Sequence, residues 1–179
     1  ALAALVQLAE SRRSARLDAD GAMVPLSQQD PQLWDERLIA SASRLMARAA
    51  DIGRSGPYQL LAAIHLTHAR RKGEGATDWA AILALYDMLQ AVRPGRVVAI
   101  NRAIALGRVQ GPVAALQALD ALDASRLQAF RPWHAARAHL FAELGQHEAA
   151  RAAWAAALAL NPPRAERLYL EARLQETSA

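Results

Sequence analysis

The chain has 179 residues, 53% of them hydrophobic and 21% charged, and its formal net charge is +4. A chain of this length buries well over half of its unfolded surface in one core and needs no second domain to do so. It contains no cysteine, which excludes disulfide bonds and thiolate metal sites. No apolar run reaches the length of a membrane span and the chain opens without a signal peptide, so we expect a soluble, cytoplasmic protein without membrane partners.

The first part of the chain predicts a helix over residues 1 to about 17, followed by a turn at residues 18–21. This helical pattern starts at Ala1 without an initiating methionine or a capping residue, which suggests a piece of a longer polypeptide. Removal of an initiator methionine would also leave Ala1 first. Asp30-Pro31 supplies an N-cap and a first-turn proline for the next helix, which is predicted to end at Gly53.

Gly56-Pro57 opens a third helix that runs to Lys72, and residues 73–76 are predicted to form a flexible loop. Thr77-Asp78 caps a fourth helix, whose apolar residues recur at helical spacing from Trp79 onward. Glycine and proline separate the later helices. Two of them begin at Val97 and Val113, Arg131-Pro132 opens a hairpin that turns at Gly145, and Pro162-Pro163 leads into the last helix. The sequence therefore predicts an all-α protein of about nine helices without a convincing strand.

The positive charge is spread along the chain. Every basic residue except Lys72 is arginine, and many arginines lie beside acidic residues. Two basic clusters, Arg12-Arg13 with Arg16 and Arg70-Arg71-Lys72, lack interleaved aromatic side chains for stacking on bases. A solvated surface rich in ion pairs is therefore favoured over a nucleic-acid interface.

The strongest pattern is a helical hairpin over residues 133–162 that recurs earlier in the chain. Tyr86 and Pro94 are eight residues apart, as are Trp154 and Pro162, and the two pairs are offset by 68 residues, which is twice 34. A period of 34 residues is typical of paired-helix repeats. A single hairpin cannot bury its apolar face alone, so the recurrence predicts a stack of such hairpins.

A more degenerate unit lies between these two. Ala103 and Ala115 occupy its small-residue positions, and Leu119 replaces the aromatic residue of the other units, with the register shifted by one residue and without the closing proline. These spacings resemble the tetratricopeptide repeat, in which small residues let paired helices approach and one aromatic side chain fills the gap. The resemblance implies one tetratricopeptide-like helical repeat array (an α-α superhelix) over residues 1–179, which binds partners on the face made by the first helix of each pair.

The ionisable residues show no catalytic pattern. His65 and His68 are three residues apart on one helix, but no carboxylate at matching spacing completes a metal site, so packing against neighbouring side chains is favoured. No nucleophile has a recognisable base partner, and no glycine-rich phosphate loop is present. We expect no enzymatic activity, no catalytic residues, no metal and no cofactor.

Two residues are candidates for the binding face of the array. Asn101 lies on the helix from Val97, and His139 lies on the helix from Trp133. An amide offers both a donor and an acceptor to a peptide backbone, which favours Asn101. The alternative is that Asn101 caps or cross-links neighbouring helices.

Several short segments occur together along the chain. They are Arg12-Arg13, Ala15-Arg16-Leu17-Asp18, Gln29-Asp30, Trp34-Asp35, Gly56-Pro57-Tyr58-Gln59-Leu60, Thr77-Asp78-Trp79, Leu85-Tyr86-Asp87, Val97-Val98-Ala99-Ile100-Asn101-Arg102-Ala103 and Gly111-Pro112. In this order they resemble the C-terminal tetratricopeptide-like domain of a group of bacterial extracytoplasmic-function sigma factors, which belong to the sigma-70 family of RNA polymerase sigma factors. The resemblance covers essentially the whole chain.

The resemblance implies a regulatory protein-interaction domain, the C-terminal fragment of a longer sigma factor. Its expected partners are core RNA polymerase, the sigma regions of the same chain, or both, with promoter DNA bound only through regions outside this sequence. Tyr58, Gln59, Asn101 and Arg102 are the segment residues expected to contact a partner, together with His139. Two alternatives are a generic peptide-binding scaffold or adaptor, and an enzyme accessory domain that holds a small ligand between its helices.

Overall fold

A computed structural model describes residues 1–53 and 56–177, without the side chain of Glu74. Nine α-helices lie in this part of the chain: α1 Leu2–Glu10, α2 Glu36–Asp51, α3 Pro57–Glu74, α4 Trp79–Val92, α5 Arg96–Gln110, α6 Pro112–Asp120, α7 Arg131–Glu143, α8 His147–Ala159 and α9 Arg164–Glu176. The prediction of an all-α fold is confirmed, and the helices are compatible with a helical repeat array. None of the helices in the described ranges is long and apolar enough to cross a membrane.

Three predicted boundaries were wrong. The first helix ends at Glu10 and is followed by a 3-10 turn at Arg13–Ala15. Between them the buried Ser11 hydroxyl donates to the carbonyl of Leu8. Asp30-Pro31 opens a 3-10 turn, Pro31–Leu33, whereas α2 begins after Asp35. The third helix continues through residues 73 and 74, so the predicted loop is shorter.

Side-chain caps mark the starts of two helices in the described part of the chain, α2 and α4. The Asp35 carboxylate accepts hydrogen bonds from the N–H groups of Arg37 and Leu38, and the Asp78 carboxylate accepts one from Ala81. Such caps satisfy N–H groups that have no partner within the helix. The connection from α7 to α8 turns at Gly145, whose φ of 70° is a left-handed conformation that glycine adopts without strain.

The chain forms two compact units, which are described separately. Unit 1 comprises Ala1–Arg16 and Val24–Pro94, and unit 2 comprises Leu17–Met23 and the chain from Gly95 onward. The core of unit 1 lies where α1, α2 and α3 meet, and its buried members are Ala4, Leu8, Ala42, Ala62 and Ala69. Four of these five side chains are alanine, which lets the three helices approach closely.

Unit 2 buries the residues predicted from the repeat. Ala103 and Ala115 are 1% and 0% exposed where α5 meets α6, and Leu119 is fully buried beside them. Trp154 fills the corresponding position in α8 and is 2% exposed. Leucine therefore occupies in the middle hairpin the buried position that tryptophan occupies in the next one.

Candidate functional site

Two of the predicted contact residues lie in unit 1, in the first turn of α3. Tyr58 is 47% exposed, and the Arg93 guanidinium lies 5.8 Å from the centre of its ring. Gln59 is half-buried next to it, and its backbone N–H donates to the carbonyl of Gly56. Tyr58 therefore offers an aromatic surface to solvent beside a cation.

The other three predicted residues lie in unit 2. Asn101 and Arg102 are both half-buried on α5, and the Asn101 side chain makes no hydrogen bond to any residue that the structure describes. His139 lies on α7, the first helix of the next hairpin.

His139 belongs to a three-residue cluster that joins α5 to α7. Its Nε2 lies 3.2 Å from Glu143 Oε1 and 3.4 Å from Arg108 Nη2, and Arg108 Nη1 lies 3.1 Å from the same Glu143 oxygen. Burial lowers the pKa of His139, against the opposing effect of Glu143. Arg108 lies seven residues after Asn101, so the two side chains share one face of α5 two turns apart.

A second cluster lies in unit 1 and was not predicted. Arg12 Nη2 lies 3.0 Å from His65 Nδ1, and Arg12 Nε donates to the carbonyl of Leu8 at 3.5 Å. Arginine can only donate, so His65 Nδ1 accepts and the imidazole is neutral with its proton on Nε2. Burial, followed by the charges of Arg12 and Arg16, lowers the pKa of His65 to about 4.

His68 extends this cluster along α3. Its ring packs edge-on against Trp79, with ring centres 5.3 Å apart. Burial lowers the pKa of His68 to about 4, helped by His65, Arg12 and Arg71. Both histidines are therefore neutral and packed against neighbouring side chains, which is the arrangement that the sequence favoured for them. Within the residues described, no group of three or more histidine, aspartate and glutamate side chains is placed to hold a metal ion.

Arg71 and Lys72 attach the segment before α2 to α3. The Arg71 guanidinium donates to the carbonyls of Leu26, Ser27 and Gln29 and lies 5.0 Å from the centre of the Trp34 ring. Lys72 Nζ donates to the carbonyl of Trp34 at 2.9 Å and pairs with Glu36 at 3.0 Å. These basic residues, which formed a charge cluster in the sequence, therefore have a structural role.

Unit 1 also has an open cleft of about 480 Å³ at α2 and α3. Its lining combines apolar side chains with charged ones: Gln32, Glu36, Ile39, Ala40, Ala69, Arg70, Lys72 and Gly73. The mixed lining suits a polypeptide surface better than a small apolar ligand.

Comparison with known proteins gives two matches. Residues 1–50 are similar to DUF6596, a family of unknown function. Over 178 residues the chain is 39% identical to an uncharacterized protein of Rhizobium meliloti (strain 1021), an alignment that covers 99% of this chain and 42% of that relative. The chain thus spans less than half the length of that relative. No solved structure matches the chain.

Proposed function

We propose that this chain is the regulatory domain of an extracytoplasmic-function sigma factor, which makes protein contacts that tune promoter-specific transcription initiation in the bacterial cytoplasm. The observation that carries the proposal is the ordered series of segments from Arg12-Arg13 to Gly111-Pro112. A shared series of this length is more specific than a helical repeat alone, since repeat arrays serve many unrelated functions. The greater length of the Rhizobium meliloti relative is consistent with a domain that is one part of a larger protein.

The proposed partners are core RNA polymerase and the sigma regions of the same protein. Three features of the chain suit a protein partner: the exposed Tyr58 ring beside Arg93, the Asn101 amide without a partner among the described residues, and the charged cleft in unit 1. Aromatic and arginine side chains are enriched where proteins bind one another. The domain itself is proposed to have no catalytic activity.

The coding sequence immediately upstream of Ala1 separates this proposal from a generic scaffold. A helix-turn-helix with a basic recognition helix is expected there, because sigma factors read promoter DNA with such an element. Further paired-helix repeats upstream would instead support a peptide-binding scaffold and overturn the proposal.

Alanine substitutions test the contact residues. Tyr58→Ala, Gln59→Ala and Asn101→Ala in the parent protein are expected to change transcription from its target promoter. Because Tyr58 is exposed and Gln59 and Asn101 are only half-buried, the unfolding free energy is expected to change by about 1 kcal/mol or less. Gln117→Ala, at an exposed position of α6, is the matched control and should change neither quantity. Unchanged transcription in all three variants would exclude these residues as the contact surface.

A further inference from the structure

We propose that the exposed face of α2 in unit 1, together with the cleft beside it, binds an acidic helix of a protein partner. The inference rests on the proposed function, because it names the chemistry of a partner that contacts this domain. Three features point to such a partner: a stripe of arginines along α2, the lack of compensating carboxylates in the described ranges, and a cleft with an apolar part.

The arginine stripe consists of Arg37, Arg44 and Arg48 on α2. All three side chains are exposed, and at about 3.6 residues per turn they fall within about 40° of one another around the helix. The stripe is about 16 Å long, since the helix rises by about 1.5 Å per residue. Within the residues that the structure describes, none of these side chains makes an ion pair, a hydrogen bond or a ring contact.

The nearby carboxylates do not compensate the charge of the stripe. Glu36 is paired with Lys72 at 3.0 Å, and the Asp35 carboxylate caps the helix. Asp51, the last residue of α2, forms no ion pair with the stripe in the part of the chain that the structure describes. The last two arginines of the stripe are four residues apart, a spacing at which like charges repel. An anionic partner would remove this repulsion.

The cleft in unit 1 borders the same helix. Ala40, which lies between two arginines of the stripe in sequence, is exposed and lines the cleft, and Ile39 and Ala69 contribute further apolar lining. Arg70 of α3 also lines the cleft; it is exposed and makes no ion pair with any described residue. A partner that lies on the stripe can therefore place an apolar side chain in the cleft and a further carboxylate against Arg70.

The spacing of the stripe suits a helix. A helix packed along α2 has the same rise per residue, so its acidic residues lie opposite the stripe when they are spaced i, i+7 and i+11 in one direction, or i, i+4 and i+11 in the other. Single-stranded nucleic acid is held by stacking on aromatic side chains, and α2 contains no aromatic residue. A membrane-bound helix inserts its apolar face, whereas Ile39, Leu45 and Met46 of α2 pack on the core of unit 1.

Binding of a labelled model peptide to the full 179-residue chain tests the surface. The matched peptide is a short helix with glutamates at i, i+4 and i+11 and one leucine placed to enter the cleft. The control peptide has the same composition, with its glutamates distributed around the helix. Fluorescence anisotropy is expected to show at least about fivefold tighter binding of the matched peptide, and weaker binding as the salt concentration rises. Tighter binding of a short DNA duplex than of the matched peptide would overturn the assignment to a polypeptide partner.

Two exposed arginines provide the variant and its control. Arg44→Glu reverses one charge of the stripe, and Arg151→Glu makes the same change on α8 in unit 2, where the arginine is exposed and forms no ion pair with a described residue. The first change is expected to weaken binding of the matched peptide by at least about fivefold, and the second by less than about twofold. Circular dichroism checks that both variants fold. Equal losses in the two variants, or equal affinity for the two peptides, would overturn this surface.

The same variant separates this inference from the proposed function in a transcription assay of the parent protein. If deletion of residues 1–179 changes transcription and Arg44→Glu does not, the regulatory role stands and the stripe is not its contact surface. If the deletion has no effect and Arg44→Glu still weakens peptide binding, the surface stands and the regulatory role falls.

Discussion

Replacing Gly107 with alanine is expected to destabilise unit 2. A Cβ atom at this position of α5 would lie 2.7 Å from the Cβ of Ala115 in α6 and 3.8 Å from Leu140 Cδ2. Carbon atoms prefer a separation of about 3.5–4.0 Å, so the two helices must move apart by about 1 Å. Overpacking of this kind costs about 1–3 kcal/mol, whereas alanine is favoured over glycine in a helix by about 1 kcal/mol. The net loss in unfolding free energy is therefore about 1 kcal/mol.

Gly73 in α3 is the matched control. A Cβ atom there meets no atom within 4 Å, so Gly73→Ala keeps the gain in helix propensity without a clash. Because Gly73 lies in the last turn of α3, a gain of about 0.5 kcal/mol is expected. Urea denaturation followed by circular dichroism measures both variants. A Gly107→Ala protein at least as stable as the native one would refute the close packing of α5 on α6, and adding Ala115→Gly should restore most of the loss.

Three further predictions concern packing, capping and protonation. Trp154→Ala should lower the unfolding free energy by about 3–5 kcal/mol, measured by thermal or urea unfolding, because it leaves a cavity in the core. Trp154→Phe should cost much less, since the indole Nε1 has no acceptor among the described residues. Asp35→Ala should lower the unfolding free energy by about 1 kcal/mol, because it removes the N-cap of α2. Asp35→Asn should retain most of that stability, since an amide oxygen can accept the same hydrogen bonds. The unfolding free energy should also fall as the pH drops from 6.5 toward 4, because His65 and His68 have a pKa of about 4 when folded and near 6.5 when unfolded. A His65→Gln, His68→Gln double variant should have a flatter pH profile than the exposed control His147→Gln, and an unchanged profile would contradict the buried neutral state.

The sequence predicts the helices well where local chemistry decides them. Asp78 and the Gly56-Pro57 pair mark helix starts that the structure confirms, because capping depends only on residues within one turn. The start of α2 was missed because two capping aspartates lie five residues apart. Asp30 caps the 3-10 turn Pro31–Leu33, whereas Asp35 caps α2. Lys72 binds the extended backbone at Trp34 between them, and that contact between distant residues leaves no local signal.

In the candidate sites, too, the sequence indicates residues that are close along the chain but not contacts between distant residues. The Arg12, Arg13 and Arg16 cluster was visible in the sequence, and so was the His65 and His68 pair. The hydrogen bond between Arg12 and His65 joins residues 53 positions apart, and no local spacing in the sequence indicates it. Arg108 was missed for the same reason, since its ion pair with Glu143 joins two separate hairpins. The partner-binding roles of Tyr58, Gln59, Asn101, Arg102 and His139 stay predictions, as does the interpretation of residues 1–179 as a single domain.

The most direct test of the proposed function is transcription in a purified system from the target promoter of the parent protein, with and without residues 1–179. Core polymerase, template and sigma regions are held the same in the two reactions. We predict that the deletion changes the amount of promoter-specific transcript, because we propose that the domain contacts core polymerase or the sigma regions. Equal transcription by the two proteins, at matched concentration and with both folded, would contradict a regulatory role for this domain.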